Sequence, residues 1–387
     1  MAIALLILGI ILFVGLVVVH EYGHFIFARR NGVVAEEFGI GFPPTIWSRK
    51  VKSKKGDFIF SLNWIFLGGF VRLKGEHDSD TEAGTFGAAS TWVKTKIMAA
   101  GIAMNLLSAL VLFMIVGWIG MPQLIDGQFR VASDSHLVQS AKDKDVIKIG
   151  DVIKGSPAEK AGIQAESRVL SVNGQKITSV DQVLAATKTN AGKTVSIVTA
   201  KDGKQKTTKV TLNTASPYLG IGPYSAQTGF DIYRSTWSAP VVAVGVTADF
   251  TVATVKGLGT ALKGVGSIIA GALSGNTQAR QTGQEKASSQ VSGPVGIIGV
   301  MYAGAKQGIG FVLFIVGLVS LSLAIMNVLP IPALDGGKLF ITYLSRILRR
   351  PISEKFENYA YGISFMLLIG LMLLVTVVDV KRLSSWF

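Results

Sequence analysis

None of the 387 residues is a cysteine, which excludes disulfides and any thiolate metal site. A metal held by this protein must therefore rest on imidazole and carboxylate. Charge is scarce as well: Asp, Glu, Lys and Arg make up 16% of the chain, against about a quarter in soluble domains. With a mean hydropathy of +0.46, that shortage points to a membrane protein. Acidic residues are the scarcer kind, 24 against 38 basic. The formal charge of +14 is still not a nucleic-acid footprint, because the basic residues are spread along the chain rather than interleaved with aromatics in one stripe. There is no internal repeat of solenoid length and no phosphate-binding glycine loop.

What the chain does have is four long apolar stretches: Ala2 to Val19, Ile97 to Ile119, Ile309 to Leu329 and Tyr361 to Val378. Each approaches the ~20 residues a helix needs to cross a bilayer. The first lacks a basic leader and a small-residue cleavage site and runs into a charged motif, so it reads as a retained helix. Arg29, Arg30, Arg49, Lys50, Lys52, Lys54 and Lys55 follow it, and Lys338, Arg346, Arg349, Arg350 and Lys355 lie between the third and fourth. By the positive-inside rule both connections are cytoplasmic, which places the two termini and the long middle segment outside.

The expected architecture is a polytopic α-helical membrane protein with four transmembrane helices, at 1–25, 96–120, 296–337 and 358–380. Residues 26–95 form a cytoplasmic region. Its β-prone runs Glu37 to Ile40, Thr45 to Val51, Phe58 to Leu62 and Phe70 to Leu73 predict a small membrane-associated sheet of hairpins. The run Leu62 to Phe70 is too apolar for a cytoplasmic loop and too short to span. It reads as a re-entrant or interfacial segment, whose backbone must be buried in protein or line a cavity. Residues 127–213 turn polar and glycine-punctuated, as an inserted soluble α+β domain would. Residues 230–290 predict amphipathic helices against the membrane, then a flexible linker from Ser274 to Gln290, and 338–357 a cytoplasmic loop.

The first apolar stretch ends in His20-Glu-Tyr-Gly-His24, an H-E-x-x-H pattern. Four-residue spacing puts both imidazoles on one helix face, where they can share a tetrahedral zinc, with Glu21 beside it to take a proton from water. Three ionisable groups within five residues at the end of an apolar helix need such a reason. A third ligand is required, and the best candidate lies in Asn327-Val-Leu-Pro-Ile-Pro-Ala-Leu-Asp335-Gly-Gly337. Pro330 and Pro332 end the third apolar helix at membrane depth, and two glycines let the chain turn. Asp249 and Asp379 are the other carboxylates near apolar segments in that half, and Asp379, at the outer end of the fourth, reads as solvated. The first and third helices both end inside, so His20, His24 and Asp335 share one membrane level.

The sequence resembles the site-2 protease family of intramembrane zinc metalloproteases, in its bacterial regulator-of-sigma-E branch. The resemblance is carried by the two motifs above, by Gly68-Gly-Phe-Val-Arg-Leu-Lys-Gly75, by Gly101-Ile-Ala-Met-Asn105 and by Ser292-Gly-Pro-Val-Gly-Ile297. It implies zinc on His20, His24 and Asp335, with Glu21 as the catalytic base. It also implies substrate-binding roles for Asn327, Pro330 and Pro332 and for Gly68, Gly69, Phe70 and Val71 on a re-entrant β-loop. Asn105 could contact substrate or the active site, or serve as a helix-packing hydrogen bond. Val152 to Ala158, Ala161 to Ile163 and Arg168 to Gly174 look like one extracytoplasmic PDZ domain, a peptide-binding module or a folded spacer. The implied substrates are single-span membrane proteins, anti-sigma factors or remnant signal peptides, cut after an upstream site-1 protease has acted. The implied location is the bacterial cytoplasmic membrane. A transporter or channel component would keep the buried polar residues but has little use for Glu21, and intact Glu21 also argues against a silent PDZ adaptor.

Overall fold

A computed structural model describes residues 1–77, 79–140, 146–225, 230–289, 293–350 and 352–383. The chain opens with α1 (Ala2–Arg30), β1 (Ala35–Val51), β2 (Phe58–Leu73), α2 (Thr91–Ile119) and the short β3 (Met121–Pro122). Next come β4 (His136–Gln139), β5 (Ile147–Val152), α3 (Pro157–Lys160), β6 (Arg168–Val172), β7 (Gln175–Lys176) and α4 (Val180–Thr189). Strands β8 (Thr194–Lys201), β9 (Lys204–Thr211), β10 (Ile221–Ser225) and β11 (Ile232–Arg234) follow. The remainder is helical: α5 (Ala239–Leu273), α6 (Thr277–Ser289), α7 (Pro294–Ala305), α8 (Ile309–Val328), α9 (Asp335–Leu348) and α10 (Glu354–Leu383). Two compact units result, one from residues 1–136 with 234–387 and the other from 137–233.

In the larger unit, five helices among the described residues are long and apolar enough to cross a membrane: α1, α2, α5, α8 and α10. The fifth is α5, a single 35-residue helix where a set of amphipathic helices is expected from the sequence. Its start is tied to the C-terminal end of α2, where Ser235 N–H donates to Gly117 O at 2.8 Å. The start of α8 meets the same end, with Gly310 against Gly120 O. Thus α5, α6 and α7 leave and return to one end of α2. Phe113, Phe250 and Phe314 join α2, α5 and α8 in one buried cluster.

Four expectations are corrected here. The linker expected over Ser274 to Gln290 is largely α6, folded back on α5, with Gly283 against Gly264 O and Arg280 against Gly271. Small residues at those crossings let two helices approach closely, which composition alone does not reveal. The third span, expected over 296–337, is two helices, because Gly308 has φ +109° and breaks α7 from α8. The loop expected over 338–357 is mostly α9, whose buried residues Gly337, Ile341, Thr342 and Ser345 recur at helical spacing. Asp379 is not solvated either. It is 2% exposed, and its Oδ2 accepts from Gly293 N–H and Gly296 N–H, both at 2.8 Å, capping α7 with a carboxylate.

Strands β1 and β2 are long and bent, so that one pair makes a sheet four segments wide. Residues 37–40 pair with 59–62 with both numbers rising together, a parallel match. On their other side they pair antiparallel with 69–72, from Glu37 opposite Arg72 to Ile40 opposite Gly69. A fourth segment, Trp47–Val51, pairs antiparallel with 58–62. Residues 69–73 are therefore an edge. Phe25, Ala28, Phe38, Leu73, Ile97 and Met98 pack this sheet against α1 and α2.

The smaller unit has a sheet in the order β10-β5-β6-β8-β9, with β7 beside β6. Alternate residues such as Val195 and Ile197 on β8 point inward to Ile147, Ile149, Val169 and Val172. Burying each such side chain contributes about 1.5–3 kcal/mol. Ser156 caps α3 and Ser179 caps α4, each accepting from a backbone N–H three residues on. The boundary expected at 213 falls short, since β10 pairs with β5 and completes the sheet.

Candidate metal centre

Helix α1 carries His20, Glu21 and His24, and two glycines decide how close α2 comes to them. A Cβ on Gly23 would lie 2.7 Å from Ala100 O, so only glycine permits this crossing. Opposite it, a Cβ on Gly101 would stand 2.6 Å from His24 Cε1 and 2.7 Å from His20 Cε1. Gly101 thus leaves the space the two rings occupy. Asp335 arrives from the other side. Helix α8 ends at Val328, Leu329 is extended, and the chain doubles back so that α9 starts at Asp335. Gly336 and Gly337 make that return possible, because a Cβ at either would run into the backbone of Val328 or Ile331.

Three donor atoms meet at one point. His20 Nε2 lies 3.2 Å from His24 Nε2, and Asp335 Oδ2 lies 3.3 Å and 3.2 Å from the two. Ligands about 2.05 Å from a tetrahedral zinc stand about 3.3 Å apart, so the spacing suits that ion. The hydrogen bonds agree. His24 Nδ1 donates to Ile97 O at 2.8 Å, which leaves its Nε2 lone pair free. Asp335 Oδ2 is buried and has no hydrogen-bond partner among the described residues. An orphaned carboxylate oxygen facing two imidazole lone pairs is costly without a cation.

Asn105 supports the second imidazole. Its side-chain amide lies 3.1 Å from His20 Nδ1, and its Oδ1 is buried without a partner. Zinc on Nε2 requires the proton on Nδ1, and turning the amide end for end gives that proton Oδ1 as acceptor. Ser320 Oγ donates to Asn105 O at 2.7 Å, tying α8 to the same point. Of the expected alternatives, the structure places Asn105 against His20, an active-site contact, and away from the cavity wall.

Glu21 opens onto a cavity of about 400 Å³ beside the cluster, lined also by His24, Phe70, Val71, Leu334, Asp335 and Lys338 among others. The sheet edge is one wall, where a Cβ on Gly69 would lie 3.3 Å from Glu21 Cγ. Of the residues expected to bind substrate, Phe70 and Val71 line the cavity, whereas Gly68, Gly69, Asn327, Pro330 and Pro332 do not. Asn327 is half-buried in the last turn of α8, and Pro330 is exposed. Sequence reasoning missed the pair on the far wall, Glu76 Oε2 and Lys338 Nζ, 2.7 Å apart. Burial alone would push the Glu76 carboxyl up, but the Lys338 ammonium outweighs it and holds the group below its ordinary value. Opposite charges 262 residues apart in sequence carry no local signal; only the fold brings them together.

The family model of peptidase family M50 matches residues 8–371. The chain belongs to peptidase family M50. A Clostridium perfringens protein whose name proposes a zinc metalloprotease is 31% identical over 378 residues, 97% of this chain and 98% of that one. The regulator of sigma-W protease RasP of Bacillus subtilis is 27% identical over 457 aligned positions, covering 97% of each. The zinc metalloprotease RasP of Bacillus licheniformis is 24% identical, covering 97% of this chain and 98% of that one. This M50 peptidase is a multi-pass membrane protein and a zinc metalloendopeptidase of intramembrane proteolysis.

Proposed function

We propose that this M50 peptidase hydrolyses a peptide bond within the transmembrane segment of single-span proteins, anti-sigma factors or remnant signal peptides, after an upstream protease has removed their outer domain. The observation that carries the reading is the meeting of His20 Nε2, His24 Nε2 and Asp335 Oδ2 in a wall shared with a sheet edge. His20, His24 and Asp335 would hold the zinc. When bound, zinc supplies a Lewis acid that polarises the scissile carbonyl and lets water lose a proton near neutral pH. Glu21 takes that proton and delivers it to the leaving amine.

A helical substrate has its backbone groups tied up, so it must unwind to expose a carbonyl. Adding as a strand to the edge at Gly69–Val71 satisfies the freed groups. Phe70 and Val71 hold it there, with Gly68 and Gly69 keeping the edge open, while Asn327, Pro330 and Pro332 shape the opposite approach. Four crossings account for the topology, because α5, α6 and α7 begin and end at one end of α2 and add none in net. The charges put the termini and residues 137–233 outside the cytoplasmic membrane of a bacterium. That outer unit is a PDZ-type domain, supported by the edge strand β10 lying beside α4.

The test is a tagged single-span anti-sigma factor supplied either intact or already trimmed of its outer domain. The expected result is cleavage of the trimmed form only, lost with a zinc chelator and regained with zinc. Cleavage that survives the chelator would exclude the metal mechanism, and equal cleavage of both forms would exclude the requirement for a first cut.

A further inference from the structure

Glu76 stands where the open sheet edge stops. Lys74 N–H donates to Val34 O at 2.8 Å, toward β1. Successive N–H groups of a strand point to opposite sides, so Leu73 N–H faces away from β1. There Glu76 Oε1 accepts it at 3.0 Å. By the same alternation Val71 and Gly69 turn their N–H and C=O groups toward that edge, and Val71 lines the cavity that Glu21 and Asp335 share. The other oxygen of Glu76 is 2.7 Å from Lys338 Nζ, and Lys338 lies one helical turn beyond Asp335 on α9. One carboxylate therefore closes the edge at Leu73 and is itself fixed to the helix that carries Asp335.

We propose that Glu76, anchored by Lys338, is a register stop: it blocks an incoming strand at Leu73 and so selects which substrate bond faces Glu21. The inference rests on the reading that substrate adds as a strand to this edge. An added strand can bond to Gly69 and Val71 but must leave the edge before Leu73, whose N–H is already taken. Strand pairing repeats every two residues, so an unblocked edge admits the substrate displaced by two. Glu76 and Lys338 are positioning residues. A merely structural ion pair would alter how fast the bond is cut, not which bond.

The test uses the full chain in detergent with a synthetic signal-peptide remnant, comparing wild type, Glu76→Ala and Lys338→Met, with product masses read by mass spectrometry. Wild type is expected to cut one bond. Each variant is expected to yield a second product pair displaced by two residues and at least comparable in amount. Zinc content checks that the site is intact, and Glu76→Leu or Lys338→Gln replaces any variant that loses zinc. Cleavage of the wild-type bond alone in the zinc-loaded variants, at any rate, would overturn the register stop and leave the proposed function standing. Failure of the wild type to cut any remnant would overturn both.

Discussion

Replacing Glu21 with Gln is expected to lower cleavage by about 10²–10⁴-fold, the range general acid–base catalysis contributes, while zinc stays at one ion per chain. The two readouts separate because Glu21 is not among the three clustered donors, His20 Nε2, His24 Nε2 and Asp335 Oδ2. Its side chain faces the cavity and the sheet edge instead. Glutamine keeps the volume and the helix but cannot accept a proton at neutral pH. Zinc analysis and product quantification on the same preparation check the pair of outcomes. Loss of zinc in this variant would make Glu21 a ligand, and retained cleavage would remove it from the chemistry.

The second large effect is expected at a residue that touches no substrate. Gly101→Val should abolish zinc binding and cleavage together, because the new side chain would occupy the space of both imidazoles. Overpacking in a close-fitted core costs about 1–3 kcal/mol when neighbours can give way. Here the rings are backed by α1, and a displacement near 1 Å at a catalytic group already costs about 10²-fold in rate. Gly15→Ala on α1 is the matched control, since nothing lies within 4 Å of its added Cβ, and it should leave both zinc and cleavage unchanged. Zinc retained in Gly101→Val would mean that the two helices separate freely at this crossing.

What the sequence disclosed and what it hid follow from the range of the interactions. The pair of histidines on α1 is a local pattern, set by helix geometry within five residues, and it stands out against an apolar background. Asp335 was within reach of topology, because charge asymmetry puts the ends of two helices at one membrane level. The prolines and glycines around it record the turn that the backbone makes. The reason for Gly101 was hidden, since its small size matters only against rings contributed by another helix. Asn105 likewise allowed packing and substrate contact alike until His20 Nδ1 appeared 3.1 Å away. The sheet was legible as β-prone runs, but not its order. A parallel match of 37–40 with 59–62 inside one bent pair has no signature in alternation, and it is what makes 69–73 an edge. In α6, Gln, Ser, Thr and Gly suggest a linker, while its Gly283, with Gly271 of α5, allows tight contact between the two helices. Asp379 looked like a water-facing end of an apolar run because the partners that bury it, Gly293 N–H and Gly296 N–H, are distant in sequence.

The central claim is that Asp335 completes a zinc site with His20 and His24. The most direct measurement is the zinc content of purified wild type and Asp335→Ala after dialysis against a weak chelator. The account predicts about one zinc per chain in the wild type and loss of most of it in the variant, since a catalytic site of this kind rests on three protein ligands. Equal zinc in the two proteins would contradict it.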